Sequence, residues 1–313
     1  MVKIVDVAAR AGVSTATVSR VLNGTRVRAD LEAAVRKAID ELNYVPDRTA
    51  RSLRRRHSEV IALVIPDVEN PFFTSVARGV EDVAHAAELS VVLCNTDDDV
   101  AKEHRYLTVA ELENMAGVIL APAGPAPALD RLVSQGRAVV VIDREVPDPV
   151  DQVVFDNRAL GRRGAEALIA RGHRDIACIT GPQSTTTATE RAAGWQDALA
   201  AHGLPPGRLS HANFRVDGGR AAMAEILASG TPPEAVLATN NLVGVGVLQA
   251  LSGWTGPTVD VGMIGDLPFA TSDVGDLPRI SLSPREMGVR AAERLVARLR
   301  GEAGEPAVLT LDA

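Results

Sequence analysis

The sequence predicts an N-terminal all-α head with a helix-turn-helix, followed by an α/β body of two doubly wound parallel-sheet subdomains. Three observations predict this fold class. Two short apolar helical patterns meet at Gly12, apolar runs alternate with helical stretches after Val60, and the charge divides sharply between these parts. The 313 residues exceed one typical domain, and the 46% hydrophobic content excludes disorder throughout. We place the head at 1–45, a linker at 46–58 and the body at 59–313.

The net charge of −7 conceals two opposite charges. Residues 1–58 contain 12 Lys and Arg against 6 Asp and Glu, a net charge of +6, whereas the remaining 21 basic and 34 acidic residues give −13. The total argues against a nucleic-acid partner, because a polyanion attracts basic surfaces. A basic head on an acidic body instead indicates nucleic-acid contact through the head.

Two helical patterns separated by a bend occupy residues 4–22. Apolar residues recur at helical spacing on both sides of Gly12, which suits a bend with positive φ, and Ser14 is a good N-cap. Such a pair is typical of a helix-turn-helix, whose second helix enters the major groove. The residues expected at base edges are Thr15, Ala16 and Arg20, and those expected at phosphates are Ser14, Thr17 and Ser19. The alternative is an ordinary helical hairpin whose Arg20 is solvated.

A third helix is predicted over 29–42, and a short basic segment follows it at 47–59. Leu53 is its one large apolar residue, between Arg51 and Arg54. A helix this short is marginal alone. An apolar wedge flanked by arginines suits the minor groove, where the cations meet phosphates and the leucine separates a base step. A flexible basic linker explains the same composition equally well.

The body predicts parallel sheets covered on both faces, because its strands are continuous apolar runs separated by helical stretches. The predicted strands are 60–65, 91–94, 117–121, 138–142, 176–179, 235–238 and 259–264. These are more units than one compact sheet needs, so two subdomains are expected, with a ligand cleft at the carboxyl ends of their strands.

Polar and aromatic residues follow these predicted strands, including Asn70, Asp143 and a Ser/Thr-rich loop at 184–190 that leads to Arg191. Paired donors and acceptors around apolar rings suit a polyhydroxyl ligand. Loop ends are commonly polar, so for any single residue this ordinary explanation stays open. The residues predicted to bind a small-molecule effector are Asn70, Phe72, Phe73, Asp143, Arg191, Phe214, Asn240 and Asp266.

Other classes of protein are excluded by missing signals. Cys94 and Cys178 cannot build a disulfide framework, which fits a reduced cytosolic setting, and no signal peptide or membrane-length apolar run is expected. Gly244-Val245-Gly246 lacks the third glycine of a dinucleotide loop and is predicted to lie inside a helix. His173 is expected to cap a helix end or to bond the backbone. No enzymatic activity, metal or cofactor is predicted.

The segments 6–24, 42–53 and 61–73 resemble the lactose-repressor (LacI) family of transcription regulators, and the resemblance covers nearly the whole chain. It implies that Thr15, Ala16 and Arg20 read bases. It also implies that 47–54 forms a hinge helix that pairs with its dimer mate and inserts Leu53 at the centre of a palindromic operator. The resemblance therefore favours the wedge over the linker.

The body is similar to the effector domain of the same family, whose fold is that of periplasmic sugar-binding proteins. Arg191 matches the family's effector-binding arginine, and the pocket positions include Phe72, Phe73, Asp143, Phe214 and Asn240. Three departures stand out: Asn240-Asn241 replaces an Asn-Asp pair, a loop is shortened at Ile264-Gly265-Asp266, and the chain stops at 311–313, short of the usual final strand. The resemblance implies a cytoplasmic, homodimeric, DNA-binding regulator, expected to be a repressor, that senses a small polar metabolite, expected to be a sugar. The alternative is a sugar-binding protein without a DNA role.

Overall fold

The computed structural model describes residues 2–22, 25–44, 58–267 and 277–312. The chain divides after His57 into two compact units, residues 1–57 and 58–313. In the part of the chain that the model describes, no helix is both long enough and apolar enough to cross a membrane.

The head consists of α1 (Ile4–Ala11), α2 (Thr15–Leu22) and α3 (Ala29–Glu41). Gly12 ends α1 with a φ of 66°, a left-handed conformation that glycine adopts at no steric cost. Ser14 Oγ then accepts a hydrogen bond from the Thr17 N–H at 3.2 Å, which caps α2. The three helices share a core around Val18, which is fully buried. The predicted bend and cap are therefore confirmed.

The body contains two parallel sheets, which define two lobes. The first sheet has the strand order β11-β5-β4-β3-β1-β2 and the second β10-β9-β8-β6-β7. The strands of the first lobe are β1 (Val60–Ile65), β2 (Ser90–Asn95), β3 (Gly117–Leu120), β4 (Ala138–Ile142), β5 (Asp151–Phe155) and β11 (Val308–Leu311), and its helices are α4 (Pro71–Ala86), α5 (Val100–Leu112), α6 (Asp130–Ser134) and α11 (Pro284–Arg300).

The second lobe is built from the residues between β5 and α11. Its strands are β6 (Ile176–Thr180), β7 (Leu209–His211), β8 (Ala235–Ala238), β9 (Asp260–Ile264) and β10 (Arg279–Ile280), and its helices are α7 (Asn157–Ala170), α8 (Thr186–Ala201), α9 (Val216–Ala228) and α10 (Asn241–Leu251). The chain therefore crosses between the lobes twice in the described residues, after β5 and before α11.

All seven predicted strands are present, with small differences at their ends. The strands that the sequence did not predict are short, at a sheet edge, or begin with charged residues, as β5 does at Asp151. The predicted loop at 184–190 is wrong, because α8 already begins at Thr186. A strand does follow the last helix: β11 pairs with β5 and joins the first sheet, while every described strand of the second sheet lies within 176–280.

Candidate functional site

A cavity of about 690 Å³ lies between the carboxyl ends of the strands of the two sheets. This is the edge at which doubly wound sheets bind ligands, because the side chains of several loops converge there. The structure brings all eight predicted residues to this cavity, although they come from both lobes. They are Asn70, Phe72, Phe73, Asp143, Arg191, Phe214, Asn240 and Asp266.

The N-terminus of α4 supplies the aromatic wall of the first lobe. Asn70 caps this helix, because its Oδ1 accepts a hydrogen bond from the Phe72 N–H at 3.0 Å. The cap holds Phe72 and Phe73 in the first turn, where their rings meet edge to face with centroids 5.0 Å apart. Phe72 also meets Phe155 at the end of β5, at 6.5 Å. These contacts fix the rings before any ligand binds.

Asp143 follows β4 and is the buried acid of the site. Its φ of 66° is left-handed, a conformation that Asp and Asn tolerate better than most residues. Burial raises the pKa of the Asp143 carboxyl, and the guanidinium groups of Arg144 and Arg191 oppose that shift. A buried carboxyl next to two cations is suited to accept hydrogen bonds from ligand hydroxyls.

Arg191 is the buried cationic residue of the site and lies in α8. Its Nε donates to Asn157 Oδ1 at 2.9 Å and its Nη1 donates to the Thr239 carbonyl at 2.7 Å. Helix α7 approaches closely at this point, since a Cβ on Gly161 would lie 1.9 Å from the Arg191 carbonyl oxygen. Burial lowers the pKa of Arg191, whereas the Asp143 charge raises it. The guanidinium is therefore fixed in place, with the remainder of its donor fork available to the cavity.

Phe214 and Asn240 form the wall contributed by the second lobe. Asn240 caps α10, because its Oδ1 accepts from the Val243 N–H at 2.7 Å, and its Nδ2 donates to the Phe214 carbonyl at 3.2 Å. Asp266 also lines the cavity but is exposed, and it accepts a hydrogen bond from Ser281 Oγ at 2.8 Å. Asp266 therefore brings an acidic side chain to the rim of the cavity.

Several residues that line the cavity are not among the eight predicted to bind the effector. Arg144 is buried and donates to Asp98 Oδ1 at 2.8 Å and to the Pro122 carbonyl at 2.6 Å. The first turn of α11 also contributes, through Arg285 and its neighbours. The signal for Arg144 is its place directly after the predicted strand 138–142. No local signal marks α11, because it reaches the cavity through the second crossing between lobes.

Two further expectations concern residues of the second lobe. Gly244-Val245-Gly246 lies inside α10, as predicted, and Gly246 allows close packing, since a Cβ there would lie 2.1 Å from the Val216 carbonyl oxygen. His173 follows the end of α7, where its backbone N–H donates to the Leu168 carbonyl at 3.4 Å, and its side-chain Nε2 forms a hydrogen bond with the Asp260 carboxylate at 2.8 Å. No cluster of potential metal ligands occurs among the described residues.

In the head, the residues predicted at base edges are exposed. Thr15, Ala16 and Arg20 lie on the outer face of α2, whereas Val18 and Val21 are buried. Arg20 makes no ion pair with any other residue in the described parts of the head. Ser14 is also exposed, while Thr17 and Ser19 are partly buried. The hinge residues Arg51, Leu53 and Arg54 lie outside the described residues.

Comparisons with known proteins match both parts of the chain. The family profile "Bacterial regulatory proteins, lacI family" matches residues 3–47, and "Periplasmic binding proteins and sugar binding domain of LacI family" matches residues 58–308. A ribose operon repressor from Halalkalibacterium halodurans is 37% identical over 252 residues, which cover 80% of this chain and 75% of that protein.

Two solved structures are similar over almost all of the chain. A complex of the transcriptional regulator CelR with cellobiose has a TM-score of 0.74 and 32% identity, covering 99% of this chain and 97% of that one. The lac repressor dimer bound to operator and the anti-inducer ONPF has a TM-score of 0.85 and 25% identity, covering 99% and 96%.

Proposed function

Because the chain belongs to the LacI family of bacterial regulatory proteins, we propose that it is a repressor that binds a palindromic operator as a homodimer and senses a sugar in its cavity. One observation carries this proposal: a helix-turn-helix with exposed reading residues is joined to a body whose cavity collects all eight predicted effector residues. Relatives named for ribose and cellobiose support a sugar as the effector class.

The cavity supports a polyhydroxyl effector through the types of group that line it. Asp143 and Arg191 offer an acceptor and donors from opposite lobes, and Phe72 and Phe214 offer apolar ring faces. A sugar presents both hydroxyls and an apolar face of C–H groups, so it can use both kinds of wall. A ligand that touches both lobes binds best to the arrangement of the lobes that brings both walls into contact with it.

The effector is proposed to act by linkage between the cavity and the hinge. If one arrangement of the lobes supports the paired hinge helices better than the other, a ligand that selects an arrangement changes operator affinity. Coupling energies of this kind are typically about 1–3 kcal/mol. In this mechanism the segment 46–58 transmits the change, and Leu53 inserts at the operator centre.

The homodimer is supported by the exposed edge of the first sheet. Strand β2 is the last strand at that edge, and its Val92 and Leu93 are 40% and 44% exposed. An apolar edge strand attracts another surface, and two copies related by a two-fold axis would cover it with the same patch. A palindromic operator requires that symmetry. We therefore propose β2 as part of the dimer contact.

The alternative is a sugar-binding protein without a DNA role. It does not explain why residues 3–47 match a family profile of bacterial regulatory proteins. We propose no enzymatic activity, since the relatives are named as repressors and regulators. We propose that the protein acts in the cytoplasm, where the DNA of a bacterial cell lies.

The test begins with a thermal-shift screen of sugars and nucleobases, because a ligand that binds the folded state raises the melting temperature. Operator sequences are then selected from random DNA and measured by gel shift at several salt concentrations, with and without the hit. Palindromic selection, a steep loss of affinity with salt and a change on adding the effector are expected. A flat salt response would reject the DNA role.

A further inference from the structure

Two sets of contacts join the lobes directly. Inside the cleft, Asn241 Nδ2 of the second lobe donates to Asn70 Oδ1 of the first at 3.2 Å. At the rim, Arg215 of the second lobe pairs with two acids of the first. Its Nε lies 3.6 Å from Asp67 Oδ2, and its Nη2 lies 3.8 Å from Asp97 Oδ1. Both sets join the start of a helix in one lobe to loops that follow strands in the other.

The asparagine pair depends on the amide of Asn241. Asn70 Oδ1 already accepts the Phe72 N–H as the cap of α4, so its partner across the cleft must be a donor. Both side chains are buried. An amide meets this requirement and an aspartate does not, because a carboxylate only accepts. The amide of Asn241 therefore supplies the donor that joins the two lobes inside the cleft.

The two acidic residues at the rim are held in place by contacts within the first lobe. Asp97 has a left-handed φ of 56°, which is unfavourable for a residue other than glycine. Its carboxylate is held in place by Asn95 Nδ2 at 2.7 Å and by Lys102. Asp67 is fixed in a similar way, because its Oδ1 accepts the Glu69 N–H at 2.9 Å. Two positioned acids thus face one arginine of the opposite lobe.

We propose that these contacts form a latch that keeps the two lobes closed when no effector is bound. The latch goes beyond the proposed function, because it concerns the free protein and requires neither DNA nor a particular sugar. Its consequence for sensing follows from population shift: the apparent dissociation constant equals the intrinsic one divided by the closed fraction. A latched body binds its effector without first having to close.

The experiment measures the distance between lobes in the effector-free chain. Exposed alanines Ala101 of α5 and Ala221 of α9 are replaced by cysteine and spin-labelled, and the distance distribution is read by double electron–electron resonance. The native Cys94 and Cys178 are buried, which directs the label to the introduced thiols. Labelled chain is diluted into unlabelled chain so that only distances within one chain are read. Denaturation, dialysis and refolding remove any copurified ligand.

Four variants give matched pairs in this labelled background. Asn241→Asp removes the donor at constant shape, whereas Asn70→Asp makes the same charge change but keeps an acceptor for both the Phe72 N–H and Asn241. Arg215→Gln removes the rim cation at the N-cap of α9. Arg220→Gln removes an exposed cation from α9 itself, and Arg220 forms no ion pair with any described residue.

The expected result is one short distance in the parent chain and a shift to longer distances in Asn241→Asp and Arg215→Gln. Asn70→Asp and Arg220→Gln should keep the parent distribution. Raising the salt concentration should lengthen the distance further in Asn241→Asp, whose remaining contacts are ionic, and much less in Arg215→Gln. A parent chain that already shows the long distances, or four variants that all match the parent, would overturn the latch. Neither result would affect the test of operator binding.

Discussion

The carboxyl of Asp143 and the guanidinium of Arg191 belong to different lobes, yet each is buried and each stabilises the charge of the other across the cavity. Burial disfavours both charges; Arg144 of the same lobe and Arg191 offset this for Asp143, and Asp143 offsets it for Arg191. The pair is therefore suited to a ligand that supplies hydrogen bonds to both groups at once. It also makes pH and substitution informative probes of the site.

Asp143→Asn is expected to stabilise the free protein at neutral pH while weakening effector binding. The raised pKa means that ionised Asp143 destabilises the fold. This cost is absent below the ordinary pKa of 3.8, grows as pH rises towards the raised value, and is constant above it. Asparagine tolerates the left-handed φ at this position and carries no charge.

Melting temperatures of the parent and Asp143→Asn proteins at pH 8 and pH 4.5 test the sign. The variant should melt higher at pH 8, and the gap should narrow at pH 4.5. A variant that melts lower than the parent at pH 8, with a smaller difference at pH 4.5, would show instead that the charged form contributes favourably.

Arg191→Ala is expected to abolish the effector response while sparing operator binding. The substitution removes the donors to Asn157 and to the Thr239 carbonyl, so a buried acceptor loses its partner at a cost of about 1–3 kcal/mol. The head is untouched, so affinity for the operator should hold. Calorimetry with the screened effector and gel shifts with operator measure the two properties, and Arg220→Ala is the matched control. A normal response in Arg191→Ala would remove this residue from the site.

Asp151→Asn is expected to destabilise the first lobe far more than a typical surface change. Asp151 is buried and accepts hydrogen bonds from Arg294 and Arg298 of α11 and from the Ala307 N–H. Burial alone would raise the pKa of Asp151, but the hydrogen bonds from the two arginines outweigh it and lower the pKa. Removing one member of such a cluster costs about 3–5 kcal/mol.

The depressed pKa also fixes the direction of the pH effect. The contribution of Asp151 to the free energy of unfolding is complete above its ordinary pKa of 3.8 and is lost as pH falls through the lower folded-state value. Denaturant unfolding of parent and variant near neutral pH and near pH 3 should therefore show a smaller difference at the lower pH. Glu286→Gln on the exposed start of α11 is the control, and an equal loss there would refute the specific role of Asp151.

The sequence predicted most strands because their apolar runs are long enough to be recognised locally. It missed β5 because a strand that begins at Asp151 appears polar, and the arginines that neutralise that acid lie more than 140 residues later in the chain. The same reason explains the missed part of the site: Arg285 reaches the cavity through the second crossing between lobes, which no local pattern records. In contrast, Asn70 and Asn240 could be predicted because each follows an apolar strand that the sequence itself reveals.

Leu53→Ala is expected to weaken binding to a selected palindrome far more than binding to random DNA. An apolar wedge acts only where the DNA is kinked at the centre of a specific site, whereas non-specific binding depends on phosphate contacts. Gel shifts on both DNAs measure the ratio. Arg54→Ala serves as the contrast, since loss of a cation should weaken both and reduce the salt slope. Equal losses in Leu53→Ala would reject the wedge.

Arg20→Ala is expected to lower operator affinity by about 1–3 kcal/mol and to relax selection at one base pair in each half-site. Arg20 is exposed on α2, so its guanidinium is available to form two hydrogen bonds with a guanine. Arg36→Ala removes the same charge from α3, where Arg36 pairs with Glu32, and should weaken binding to all sequences similarly or not at all. Repeating the selection from random DNA with each variant separates the two effects. If Arg20→Ala selects the same half-site as the parent, Arg20 contacts phosphate rather than a base.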